Sequence, residues 1–153
     1  MRNKLVKLFS LATALTAVLS LSACGTTETA SDDFGPKHKL VIQVNSSDAM
    51  TQKIALNNAV NIQKAYGVDN VAVEIVAYGP GLGMLTPKNK EQAKRVASLS
   101  VQGITFSACG NTIKKVTKKK GKAPKLIAGV QVVPAGVKRI IELQEQNYSY
   151  VKP

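Results

Sequence analysis

From residue 39 the chain alternates between short apolar runs and longer stretches in which apolar residues recur at helical spacing. Residues 39–44, Lys-Leu-Val-Ile-Gln-Val, read as a buried strand, and Ser46, Ser47 and Asp48 offer helix caps directly after it. A helix is expected over residues 50–66, with Leu56, Val60 and Lys64 spaced four apart and Gly67 positioned to end it. Residues 71–78 form a second strand rich in β-branched side chains. The segment Gly79-Pro80-Gly81-Leu82-Gly83 reads as a loop, and a second helix over residues 89–99 presents Ala93, Val96 and Ala97 on one face. After Gly103 a third strand is expected to end just before Cys109, and a short helix then leads into a lysine-rich loop. A fourth strand lies within residues 126–132, a helix runs from Pro134 to about residue 146, and residues 148–151 make a short final strand.

Strands alternating with helices predict an α/β fold in one domain: a mostly parallel central sheet of about five strands with helices on both faces. In such folds reactive groups gather beyond the carboxyl ends of the strands. The 79–83 loop and Cys109 are both expected there. There is no internal repeat.

The first 37 residues follow another pattern. Arg2, Lys4 and Lys7 precede an apolar run over residues 8–21, and then comes Leu21-Ser22-Ala23-Cys24-Gly25. A basic start, a short apolar core and small residues at a cleavage point make an export signal over residues 1–23. Leu-Ser-Ala-Cys looks like the lipobox of bacterial lipoproteins. By that resemblance Cys24 becomes the lipid-modified first residue of the mature chain, with an ordinary signal cut near Ala23 or Ala30 as the rival reading. Residues 24–37 are small, polar and without period, as expected of a flexible tether. The expected location is the bacterial cell envelope, with the protein anchored to membrane through Cys24 and facing the periplasm. Gly25 points to outer-membrane sorting, by resemblance to enteric lipoproteins.

Beyond residue 23 the chain has 18 Lys and Arg against 9 Asp and Glu, a net charge of +9. Seven of the lysines crowd between Lys114 and Lys125. No aromatic residues are interleaved for base stacking, and with an export signal this argues against nucleic acid. The cluster reads either as a solvated loop or as an attraction for anionic headgroups or a small anionic ligand.

With Cys24 lipidated or removed, Cys109 has no partner within the chain. An odd cysteine in an exported protein is shielded, paired between chains or reactive. Its position at the start of a helix, before Gly110, Asn111 and Thr112, favours the thiolate through unpaired backbone N–H groups and the helix dipole. The alternative is a small apolar residue packed behind a turn. The 79–83 glycines match neither a dinucleotide fingerprint nor a phosphate loop. One histidine, His38, with one cysteine is too few for a zinc site, so neither metal nor cofactor is expected.

Four pieces carry a family resemblance: Ala55-Leu56-Asn57-Asn58 with Asn61; Glu74 to Leu82, containing Tyr78, Gly79 and Gly81; Gly103 to Thr112; and Val132 to Val137 with Leu143-Gln144 and the closing Tyr150-Val151-Lys152-Pro153. In this order they resemble the DsrE/DsrF-like family of sulfur-relay and sulfur-oxidation proteins, over residues 38–153. The resemblance implies a small α/β sandwich forming trimers or hexamers. It also implies a cysteine, here Cys109, that receives sulfane sulfur as a persulfide and works with a donor or acceptor protein. Carriers of the family often have an acidic residue where this chain has Pro80.

Two readings follow. In one, Cys109 is the nucleophile of a membrane-tethered sulfur carrier, activated by the helix start and nearby lysine charge, with Gly110, Asn111, Thr112, Tyr78, Gly79 and Gly81 shaping the site. In the other, the protein is a non-catalytic oligomeric or small-ligand-binding module and Cys109 is structural.

Overall fold

The computed structural model describes residues 35–153. The expected export signal, Cys24 and the tether up to residue 34 lie outside the described residues. Five strands, β1 (His38–Val44), β2 (Val71–Ala77), β3 (Ile104–Cys109), β4 (Val130–Val133) and β5 (Ser149–Val151), form one sheet in the order β4-β3-β2-β1-β5. Every pairing is parallel. The helices are α1 (Ala49–Tyr66), α2 (Lys90–Val101), α3 (Gly110–Lys120) and α4 (Gly136–Glu145).

The connectivity explains which face each helix covers. From β1 to β4 the chain steps across the sheet in one direction, and right-handed crossovers then place the intervening helices on one face. The main core lies there: Leu40, Ile42 and Val44 of β1, Val73 and Ile75 of β2 and Phe106 of β3 pack against Leu56 of α1 and Val96 of α2. Ile113 and Val116 of α3 close its edge. The last connection runs back from β4 to β5, so α4 falls on the opposite face, where Ile140 and Leu143 cover Val41 and Val76.

That second face is also polar. Glu74 is buried, accepts from the Ser107 hydroxyl at 2.6 Å, and is clamped by Arg139 of α4 through Nε at 2.9 Å and Nη2 at 2.7 Å. Gln131 donates to the Ser107 hydroxyl at 2.8 Å. Each buried carboxylate and hydroxyl thus has its partners, as low-dielectric surroundings demand.

Three expectations change. The third strand runs through Cys109 instead of stopping before it. Residues 79–83 are not an open loop, because Gly79–Leu85 winds into a 3-10 helix whose Leu82, Met84 and Leu85 are buried. Its Gly81 lies against β1, where a Cβ would stand 2.2 Å from the Val44 carbonyl oxygen, so only glycine fits. The first five lysines of the cluster sit on α3, not on a loop. The last turn carries Lys118, Lys119 and Lys120, where cations offset the negative end of the helix dipole, and Gly121 ends the helix in the left-handed conformation.

Candidate functional site

Cys109 is at once the last residue of β3 and the N-cap of α3, so the chain turns from strand to helix at the thiol itself. It is 6% exposed. Cys109 pairs in register with Val133 at the end of β4. Beyond Val133 the chain turns through Pro134 and Ala135 into α4 on the same side of the sheet as the Cys109 side chain. The first N–H of α4, from Gly136, therefore donates to Cys109 Sγ at 3.2 Å. Two helix N-termini, those of α3 and α4, converge on one sulfur. Both bring the positive end of a dipole toward the sulfur, and that of α4 also donates an N–H to it.

Glycine makes this approach close enough. A Cβ on Gly136 would lie 3.1 Å from Tyr78 Cδ1 and 3.3 Å from Cys109 Cβ. Gly110 packs beneath the carbonyls of Val133 and Pro134, 3.1 and 3.2 Å from where its Cβ would stand. The Asn111 N–H donates to the Pro134 carbonyl at 3.3 Å, fastening the two helix starts together.

The electrostatics oppose one another. Burial pushes the thiol up. The Gly136 N–H that donates to Sγ, with the Thr112 side chain and the Thr112 and Asn111 N–H groups close by, outweighs it and brings the thiol below its ordinary value. No first-turn group of α3 makes a capping bond to the resting side chain of Cys109. The Thr112 hydroxyl accepts the Gly79 N–H at 2.9 Å, which leaves its own hydrogen free to turn toward a thiolate. Tyr78, packed on Gly136, has its phenol pushed up by burial and by the neighbouring Tyr150, with a smaller push from Cys109. It stays protonated in the range where the thiol ionises.

The structure therefore brings together Cys109, Gly110, Thr112, Tyr78 and Gly79. Asn111 joins through its backbone while its side chain faces solvent. Gly81 serves the contact with β1. Lys118, Lys119 and Lys120 lie in the last turn of α3, at the opposite end of the helix from Cys109. The contribution the sequence did not reveal is Gly136, 27 residues from Cys109. Its only trace was the Pro134-Ala135-Gly136 helix start. Among the described residues no group of three His, Cys, Asp or Glu side chains is placed to hold a metal. His38 is exposed and stacks on Tyr66, with ring centroids 3.8 Å apart.

The Thr112→Val variant is expected to react with iodoacetamide on the order of tenfold more slowly at neutral pH, since a hydrogen bond to a charged group contributes about 1.5–3 kcal/mol. Thr112→Ser keeps the parent rate. The sign for stability follows from the depressed thiol. Its stabilising contribution is fully present above the unfolded-state pKa and is lost as the pH falls through the folded one. Thr112→Val narrows that window. A pH series of alkylation rates and thermal melts reads both effects.

Comparison with known proteins matches residues 38–153 to the DsrE/DsrF-like family. The protein of unknown function MTH1491 from Methanobacterium thermoautotrophicum is 28% identical, with a TM-score of 0.68, over 76% of this chain and 99% of its own. The ychN protein from E. coli has a TM-score of 0.59 at 14% identity, over the same shares, a likeness of fold. No curated protein matches the chain.

Proposed function

Since the chain belongs to the DsrE/DsrF-like family across residues 38–153, a family of sulfur-relay proteins, we propose that it carries sulfane sulfur as a persulfide on Cys109. The observation that carries this reading is the α4 N-terminus aimed at Sγ, its Gly136 N–H donating at 3.2 Å, on a cysteine that also caps the start of α3.

The chemistry is an exchange at sulfur. The Cys109 thiolate attacks the outer sulfur of a donor persulfide, R–S–SH. A new S–S bond forms to Cys109, the donor's S–S bond breaks, and the donor leaves as the thiolate R–S⁻. An acceptor thiolate then attacks the outer sulfur on Cys109 and releases the Cys109 thiolate again. No net oxidation occurs, and the N–H groups that hold the resting anion also favour it as the leaving group. Mass spectrometry of the folded chain after exposure to polysulfide tests this. Sulfur added on the Cys109 peptide supports it, and a folded chain that gains none there overturns it.

Two further parts of this reading concern where the carrier works. Cys24 is its lipid anchor, on the strength of the Leu-Ser-Ala-Cys motif behind an apolar run. Metabolic labelling with palmitate is expected to mark the parent and not Cys24→Ser, and equal labelling of both rules the anchor out. The carrier also works as a homo-oligomer. Val137 and Ile141, four apart on α4, are 54% and 52% exposed, and Val132 of the edge strand β4 is 57% exposed. The apolar pair on α4 and the open apolar edge at Val132, on the other face of the sheet, fit a second copy of the chain. Sedimentation is expected to show an assembly for the parent and a monomer for Val137→Asp/Ile141→Asp. A parent that sediments as a monomer sinks this part.

A further inference from the structure

Beside the Cys109 site, and meeting it at Gly79, whose N–H donates to Thr112, lies a cavity that Cys109 itself does not line. It encloses about 540 Å³ between the 3-10 helix and the end of α3. That volume lies in the range of small-molecule sites. Leu82, Val116 and Pro124 give it apolar walls, and Lys88, Lys120, Lys122 and Lys125 stand around it. No Asp or Glu lines it. Among the described residues none of these four lysines takes part in an ion pair, since the ion pairs join Lys138, Arg139, Glu142 and Glu74.

We infer that this cavity binds an amphiphilic organic anion, with its apolar body against Leu82 and Val116 and its acidic head among the lysines. Charge complementarity sets the sign of the head. Four cations outweigh the half negative charge at the C-terminus of α3, which lies at the same rim. The walls set the body. A site for a bare inorganic anion would offer free backbone N–H donors or hydroxyls, whereas here the Gly79 N–H is spent on Thr112 and the Thr86 hydroxyl on the Gly83 carbonyl, and the surface behind the lysines is mostly carbon. The geometry also accounts for the lysines as a group. They come from the segment before α2, the last turn of α3 and the segment after Gly121, and they meet only around this cavity.

The test is calorimetric titration of the full chain with sodium decanoate below its micelle concentration, with acetate and decanol as the head-only and body-only controls. One saturable decanoate site per chain is expected, with acetate and decanol each binding at least tenfold more weakly. Lys120→Ala/Lys122→Ala/Lys125→Ala is expected to weaken decanoate at least tenfold. Ala123→Glu, which sets a carboxylate at an exposed position of the cavity wall, is expected to do the same. Lys114→Ala/Lys119→Ala, outside the lining, is expected to bind as the parent does. All these positions are exposed, on α3 or in the segment that follows it, so circular dichroism should show unchanged folds. Absence of a saturable site overturns the inference. So does a cavity-lysine variant that binds as the parent does, or equal weakening by the control pair, which would mean that total charge and not the cavity does the binding.

Discussion

In a chain whose Cys24 is already serine, Cys109→Ser is expected to take up no sulfur from polysulfide, while the parent thiol loads. The loss is complete because no other cysteine is left to accept sulfur. Stability is expected to change by only about 1 kcal/mol, since a serine oxygen at the same place can still accept the Gly136 N–H that Sγ accepts now. This split between a lost reaction and a kept fold separates a carrier thiol from a packing residue. Were Cys109 only filling space at 6% exposure, the folded parent would resist polysulfide and load only after denaturation. Intact mass and a thermal melt on the same samples decide between the two.

Arg139→Met is expected to cost the fold about 3–5 kcal/mol, the usual penalty for stranding one member of a buried ion pair. The asymmetry of the pair sharpens the expectation. The Glu74 side chain is 4% exposed and that of Arg139 27%. Removing the arginine leaves a carboxylate that water cannot reach. Removing the charge from Glu74 leaves a guanidinium that can turn toward solvent. Glu74→Gln, which also keeps a partner for Ser107, is therefore expected to cost less, about 2 kcal/mol. Denaturant melts of the two variants give the order directly, and equal costs would mean that the pair is solvated in practice. A second readout follows from the position of Arg139, one helical turn beyond Gly136. Loosening this anchor should let the first N–H of α4 drift from the sulfur and slow alkylation of Cys109, an effect that a purely global loss of stability would not produce in the folded fraction.

The β-branched runs at residues 39–44 and 71–78, with Gly67 and Gly103 as punctuation, made the parallel α/β fold legible, because a strand buried on both faces writes itself as a continuous apolar segment. Cys109 at a strand-to-helix junction was legible for the same local reason. What sequence order hid was distance. Glu74 and Arg139 are 65 residues apart and Cys109 and Gly136 are 27 apart, and no periodicity links such pairs before the return of α4 across the sheet is known. Glu74 even sits in an apolar strand, where its charge reads as an exception and not as half of a clamp. The lysine segment misled in the other direction. Lysine is a good helix former, and Ile113 and Val116 anchor one side of α3 on the core, so the helix continues to Lys120 through residues whose charge alone suggested a solvated loop. The 3-10 helix over residues 79–85 was likewise hidden by its glycines, which read as freedom until the Val44 carbonyl shows that Gly81 is there for want of room.

The single N–H that bridges Gly136 to the sulfur also makes α4 a listener. A neutral thiol, an anionic thiolate and a persulfide whose charge has moved one atom outward each pull on that donor with a different strength. In the proposed carrier, the cargo state of one atom would thereby be converted into how tightly a whole helix is held against the sheet. On the proposed function, a partner that touches only the outer face of α4 would distinguish a loaded chain from an empty one without ever meeting the sulfur.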